Sequence, residues 1–329
     1  MTARHVGLLA AAALFAGTGS AALAADKVTF QLDWLPGGDK APIYICVSRG
    51  FCAKEGLDVT IAPGRGSSDA ITKMAAGASD IGTAGLSALM AAKARENVPV
   101  TAVMSYMTKG PHAFLTTKDT GIKAFADIKA KSVATAPFSS SNVFLPLVLA
   151  ANGVPADSVK LTKTEPGAMG PMLMTGRVQA IIAWQTNATR YAGQAKAAGK
   201  ELVVLPWSDV GLTMYAASLM ASDKLLKERP AVAKRFVKAY RMSALFMRDN
   251  PKMAAEAVAT VVPEVKATTA IGSVTDTIPL LFNEVTEKDG QGVFEKARLA
   301  TTWKWVARAQ KLKEDSLDPE TVVDRSFLN

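Results

Sequence analysis

The stretch that decides the fold runs from Val28 to Ile61, VTFQLDWLPGGDKAPIYICVSRGFCAKEGLDVTI. Val28, Phe30 and Leu32 alternate with polar residues, the period-2 pattern of a strand buried on one face. Trp34-Leu35-Pro36-Gly37-Gly38-Asp39 then breaks all regular structure. Pro42 suits the first turn of a helix, where its missing N–H would be unpaired anyway. Ile43, Tyr44 and Val47 share one helical face, and Gly50 offers the permissive backbone on which helices end. Leu57, Val59 and Ile61 resume the alternation. The unit is a strand, a decorated loop, a helix and a second strand, the crossover of an α/β protein. In open α/β sheets ligands gather at the carboxyl ends of strands, which makes Trp34 the first candidate binding residue.

Upstream, residues 1–25 read as a secretory signal peptide: Arg4, an apolar run from Gly7 to about Ala16, and Ala22-Leu23-Ala24 as a cleavage site. The apolar run is shorter than the roughly 20 residues of a bilayer span. No cysteine follows the cleavage site, so nothing supports a lipid anchor. The expected product is soluble and periplasmic. Its roughly 305 residues favour two lobes over a single core.

The chain carries 38 Lys and Arg against 29 Asp and Glu, a formal net charge of +9. That excess fits an anionic ligand or simply a solvated surface. The basic residues are spread out and not interleaved with aromatics, so nothing points to nucleic acid. The two cysteines are Cys46 and Cys52, and an even pair in an oxidising compartment suggests a disulfide. On one unbroken helix their separation would be about 9 Å of rise, beyond bridging distance. A helix ending at Gly50 would let Cys52 fold back, so bridged and free states both stay open. His112 is the only histidine after residue 25, so no metal cluster can be assembled around histidines. No G-x-S-x-G nucleophile elbow is present either. No catalytic residue and no cofactor are expected.

Downstream, polar loops recur where strands should end. In Ala62-Pro63-Gly64-Arg65-Gly66-Ser67-Ser68-Asp69, Ser67 or Ser68 can cap a helix over residues 70–76 and cradle a polar ligand. Arg65 could pair with a carboxylate or sulfonate, or remain solvated. Ser87 is placed to cap the next helix and touch ligand. His112 follows the Lys109-Gly110-Pro111 break and is either a structural hydrogen-bonder or a cleft residue. Ser139, Ser140, Ser141 and Asn142 precede a helix over 143–152, where they can satisfy its free N–H groups or present them to a ligand. Trp184 and Gln185 close an apolar strand and face either a cleft or the core. Residues 214–222 look like a return crossing, with Tyr215 as a cleft candidate. From Pro230 the chain turns helical, with Val232, Phe236 and Tyr240 on one face. Trp303 and Trp305 are expected against the first lobe or near its rim.

Three passages carry a family resemblance: DWLPGG…API-Y…RGF…EGLDV, the A-A-G-A-S-D-I-G run at 75–82, and Ile122…Asp127-Ile128-Lys129. They resemble the solute-binding proteins of bacterial ABC importers, in the group for nitrate, sulfonates, taurine and thiamine-precursor pyrimidines. Cys52, Ala130 and Gln179 stand where that group usually has an aromatic or polar residue, a glycine and an aspartate. The resemblance implies a type II periplasmic binding fold, two α/β lobes joined by two crossing strands. Lobe 1 would comprise 26–112 and 215–329, and lobe 2 residues 113–214. It also implies a monomer that closes by a hinge on one small solute and delivers it to a membrane permease with its ATPase.

Trp34, Trp184 and Tyr215 would suit a planar heterocycle such as a pyrimidine, or an aromatic carboxylate. The helix starts at Ser67, Ser87 and Ser139–Asn142 would suit a sulfonate or nitrate instead. A ligand-sensing partner of a signalling receptor would use the same closure. Fungal relatives of this group make the thiamine pyrimidine with a histidine and a cysteine-rich motif that this chain lacks, so an enzyme is not expected.

Overall fold

The alternation of Val28, Phe30 and Leu32 builds β1 (Asp26–Gln31), and nine further strands follow. They are β2 (Leu57–Ala62), β3 (Ile81–Gly85), β4 (Val100–Ser105), β5 (His112–Thr117), β6 (Ser132–Thr135), β7 (Lys160–Lys163), β8 (Ala180–Trp184), β9 (Leu202–Pro206) and β10 (Ala217–Ser222). The computed structural model describes residues 24–328, so the expected signal peptide lies almost wholly outside the described residues.

The strands form two five-stranded sheets, ordered β2-β1-β3-β10-β4 and β7-β6-β8-β5-β9. In lobe 1, β1 runs parallel to β2 and β3, while β10 runs antiparallel between β3 and β4. In lobe 2, β6 runs parallel to β7 and β8, while β5 runs antiparallel between β8 and β9. Each sheet therefore receives, as its antiparallel strand, the first strand made after the chain crosses between lobes. The crossings are residues 106–111 and 207–216, and they bond to each other near lobe 1. Met107 N donates to Ala217 O at 2.8 Å, and Ala216 N to Met107 O at 2.9 Å.

The two lobes repeat one local device. Asp80, just before β3, accepts a hydrogen bond from Thr29 N of β1 at 2.7 Å. Gln179, just before β8, accepts one from Ser132 N of β6 at 3.0 Å. The amide does what the carboxylate does, tying the central strand to its parallel neighbour.

The core of lobe 1 forms where Phe30 stacks on Phe236 and Tyr240, with ring centroids 5.8 and 5.9 Å apart. The Pro230–Asp249 helix supplies both rings from the expected face. Gln31, on the opposite face of β1, is also buried, because its amide donates to Leu32 O and Pro63 O and accepts from Ser79. β1 is thus covered on both faces, not one.

Helix starts differ from the sequence reading by a few residues. The helices expected at 70–76 and 143–152 are Ser67–Ala75 and Ser141–Ala151. Within the Ile122…Lys129 passage the chain makes a 3-10 turn, Phe125–Ile128. Ala130, where the family resemblance expects glycine, adopts φ 61°. The Lys296–Gln310 helix reaches lobe 2 as well: Gln310 Nε2 donates to Val143 O at 2.7 Å, and Trp305 lines one pocket with Leu147, Val148 and Ala151. Among the described residues no helix is long and apolar enough to cross a membrane.

Cys46 and Cys52 are joined as a disulfide with Cα atoms 4.9 Å apart. The Ala41–Ser48 helix stops before Gly50, whose φ of 74° starts a separate turn of helix at Phe51–Lys54. That left-handed residue costs a glycine little and brings the second sulfur back within reach.

Candidate functional site

The lobes meet over a small cavity lined by the end of β8 and by the segments that follow β1, β2 and β6. Asp33, Trp34 and Ser67 line it from lobe 1; Ser139, Ser140, Ala183 and Trp184 line it from lobe 2. Its volume is about 10 Å³, room for roughly one water molecule. Glycines permit this close approach. A Cβ at Gly66 would lie 2.4 Å from the carbonyl of Phe138, and one at Gly85 would lie 2.6 Å from Ser140 Cβ. Ser68 N donates across the lobes to Phe138 O at 3.1 Å.

Beneath the cavity lies a group of charges that the sequence reading missed. Lys40 Nζ sits 2.7 Å from Asp33 Oδ1 and 3.1 Å from Asp39 Oδ2, with all three side chains at most 1% exposed. Neither contact is aligned as a hydrogen bond, so the attraction is mainly charge on charge. Thr83 Oγ1 donates to Asp33 at 3.0 Å, and Tyr106 OH donates to the Asp39 carbonyl at 2.8 Å. Lys40 also lies 4.8 Å from the Trp184 ring centroid, a cation–π contact between lobes. Burial pushes the Asp39 carboxyl up, with Lys40 pulling the other way. Burial alone would lower the Lys40 pKa, but Asp33 and Asp39 outweigh it and raise it, so the ammonium stays charged. The available signal was Asp33 at a strand end beside Trp34, and an Asp39-Lys40 pair opening an otherwise apolar helix.

The candidates from sequence divide into two groups. Trp34, Ser67, Ser139, Ser140 and Trp184 line the cavity together. Ser67 Oγ does not cap its own helix, whose cap position is Gly66; it accepts instead from Gly85 N at 2.9 Å. Ser140 Oγ is buried without a partner. Ser141 and Asn142 stand just behind: Ser141 Oγ lies 2.9 Å from His112 Nδ1, and Asn142 donates to Ala136 O and accepts from Thr135.

His112 sits among Phe144, Trp184 and Trp207, and burial lowers its pKa to about 3, so its ring is neutral. It props Trp184 from behind and does not line the cavity. Ser87 is buried in the first turn of the Leu86–Lys93 helix but does not cap it, because Gly85 holds the cap position. Gln185 continues past β8, its N–H donating to Pro111 O at 2.7 Å. Tyr215 lies away from the cavity, against Phe294, and its hydroxyl accepts from Glu295 N at 2.7 Å. Arg65 reaches across the outside of the cleft to pair with Glu165 and covers the Phe138 ring.

The NMT1/THI5-like family profile matches residues 38–254, about two thirds of the chain. The chain belongs to the NMT1/THI5-like family. The chain is 32% identical over 111 residues to a Schizosaccharomyces pombe 4-amino-5-hydroxymethyl-2-methylpyrimidine phosphate synthase. That match spans 34% of this chain and only 32% of the synthase. A Haemophilus influenzae protein named for thiamine biosynthesis is 22% identical over 90% of this chain and 93% of its own. The riboflavin-binding protein RibY of Chloroflexus aurantiacus is 23% identical over 92% of this chain and 86% of its own.

Among solved structures, the alkanesulfonate-binding protein SsuA of Xanthomonas axonopodis superposes with a TM-score of 0.71 at 14% identity, covering 91% of this chain and 98% of that one. The nitrate-binding protein NrtA of Synechocystis gives 0.64 at 13% identity, covering 89% and 87%. At such identities the likeness establishes the fold, the two-lobed type II periplasmic binding fold shared with substrate binders of ABC importers.

Proposed function

We propose that this NMT1/THI5-like protein is the extracytoplasmic solute-binding component of an ABC importer. Its lobes close on a small planar heterocycle, pyrimidine-like, and the closed form docks on the membrane permease. The observation that carries the ligand class is the pairing of Trp34 and Trp184, from opposite lobes, around the same cavity as the Asp33 carboxylate. Two indoles suit the faces of a flat ring, and a carboxylate with buried hydroxyls suits ring N–H and amino donors. A nitrate or sulfonate would meet Asp33 with like charge, which disfavours the sulfonate or nitrate reading. The relatives named for a pyrimidine phosphate synthase, thiamine biosynthesis and riboflavin binding point the same way, since each concerns a nitrogen heterocycle.

Binding is favoured over catalysis because His112, the one described histidine, is turned onto Ser141 and kept neutral away from the cavity. Calorimetric titration of the mature protein with aminopyrimidines, riboflavin, nitrate and methanesulfonate tests the reading. A ring compound should bind, and Trp34→Ala or Asp33→Asn should each weaken it about tenfold or more, the equivalent of ~1.4 kcal/mol. Tight nitrate or sulfonate binding with no response to rings would overturn the ligand class. Conversion of a bound ring to a new product, seen by mass spectrometry, would overturn the binding-only reading.

A further inference from the structure

The buried charges beneath the cavity do not balance. Asp33 and Asp39 are two carboxylates, Lys40 is one ammonium, and no other basic group acts on Asp39 or Lys40. Among the described residues no lysine, arginine or histidine lines the cavity. Arg65 is paired with Glu165 outside the cleft, and the His112 ring is neutral. The helix starts have spent their N–H groups as well. Ser68 N donates to Phe138 O, and Asn142 N and Val143 N donate to the carbonyls of Ser139 and Ser140. Ser141 N reaches Ser139 Oγ at 3.3 Å. A chain with a formal net charge of +9 thus keeps an excess of negative charge at this buried point. Uncompensated charge withdrawn from water is costly.

The groups around that excess suit a cation. Trp34 and Trp184 line the cavity from opposite lobes, and the indole face is the best aromatic partner for a positive charge. Trp184 already shows the preference, with the Lys40 ammonium 4.8 Å from its ring centre. Asp33 is the carboxylate that reaches the cavity wall. Ser140, 1% exposed, also lines the cavity, and its Oγ has no partner in the protein, which leaves a hydroxyl for a ring substituent.

We propose that the solute is a planar heterocyclic cation, protonated or alkylated on a ring nitrogen, whose charge completes the Asp33–Lys40–Asp39 group. The proposal rests on the heterocycle reading of this cavity and narrows it from rings in general to positively charged ones. A neutral ring of the same shape leaves the excess in place, and an anionic ring adds to it. Salt screens little of that difference in a site withdrawn from water. The rival remedy is a proton on Asp39, whose carboxyl burial pushes up; it would balance the group without help from the solute.

The test uses three flat rings of similar size whose charges are fixed at neutral pH: 1-methylnicotinamide (cationic), nicotinamide (neutral) and nicotinate (anionic). Calorimetry of the mature wild-type protein should give the cation an affinity about tenfold or more above the neutral ring, with the acid weakest. Asp33→Asn, with the wild-type circular dichroism retained, should bring the cationic and neutral affinities together. Equal affinities in the wild type, or tightest binding of the acid, overturn the proposal and leave the heterocycle reading standing. Choline, a cation without a ring, separates the two claims. Binding of choline alone, lost in Asp33→Asn, keeps the preference for positive charge and sinks the heterocycle reading. No binding of any of these compounds overturns the preference itself.

Discussion

The Lys40 ammonium lies 4.8 Å from the centre of the Trp184 ring, one residue from each lobe, with Asp33 and Asp39 holding the cation from below. An aromatic face of lobe 2 thus lies over a charge buried at the edge of lobe 1. Two carboxylates sharing one ammonium form an arrangement in which each member depends on the others.

Lys40→Met should accordingly leave two carboxylates buried together without a counter-charge. Removing one partner of a buried ion pair costs about 3–5 kcal/mol, and urea unfolding should show a loss of that order. Asp39→Asn in the same chain removes one of the stranded charges and should recover part of the loss. A midpoint unchanged by Lys40→Met would show that the buried cation adds nothing to stability.

His112 sets a pH dependence with a definite sign. Its pKa falls from 6.5 to about 3 on folding because burial opposes the charged ring. Below about 6.5 the unfolded chain takes up a proton that the folded chain refuses until about 3. Stability is therefore full above that window and falls as pH drops through it, by up to about 1.4 kcal/mol per unit from this group. Denaturation curves between pH 6 and 4.5 should show a shallower slope in His112→Phe. An unaltered slope would place the titration elsewhere.

Ala130 holds a left-handed backbone at φ 61° on an exposed turn. That conformation costs a non-glycine residue about 1–2 kcal/mol, against a glycine entropy cost of about 0.5–1 kcal/mol. Ala130→Gly should stabilise the protein by up to about 1 kcal/mol, read as a higher denaturant midpoint with an unchanged slope.

The Cys46–Cys52 bridge closes a short loop with a sequence separation of 6. Chain-entropy arguments give such a loop about 2–3 kcal/mol. Both cysteines are at most 2% exposed, so reductant should act slowly on the folded protein. Once unfolded and reduced, the chain should refold to a lower melting temperature.

Much of this was legible in the sequence, for reasons that can be located. Strand alternation and punctuating loops reveal the α/β order, because side-chain period and backbone breakers are local properties. Gln179 could be read as standing at an aspartate position, though only the structure shows that it and Asp80 each accept the N–H of a parallel neighbour. Trp34, Ser67, Ser139, Ser140 and Trp184 could be placed at strand ends by topology alone. Tyr215 could not be placed correctly, because at a crossing the side chain's direction is set by Phe294 and Glu295, about eighty residues away in the sequence. Asp33, Asp39 and Lys40 read as ordinary polar loop residues until tertiary packing buried them.

The insertion of β10 between β3 and β4 also orders events in time. Lobe 2 draws its whole sheet from the uninterrupted run 112–206, so it can fold as soon as that run is free. Lobe 1 cannot: until residue 222 arrives, β3 and β4 have no shared neighbour and each leaves an open edge. An unpaired edge is a template for wrong pairing, and it persists while a complete second lobe is being made. The half of the protein that begins first therefore finishes last, and its vulnerable interval lengthens with every residue inserted into lobe 2.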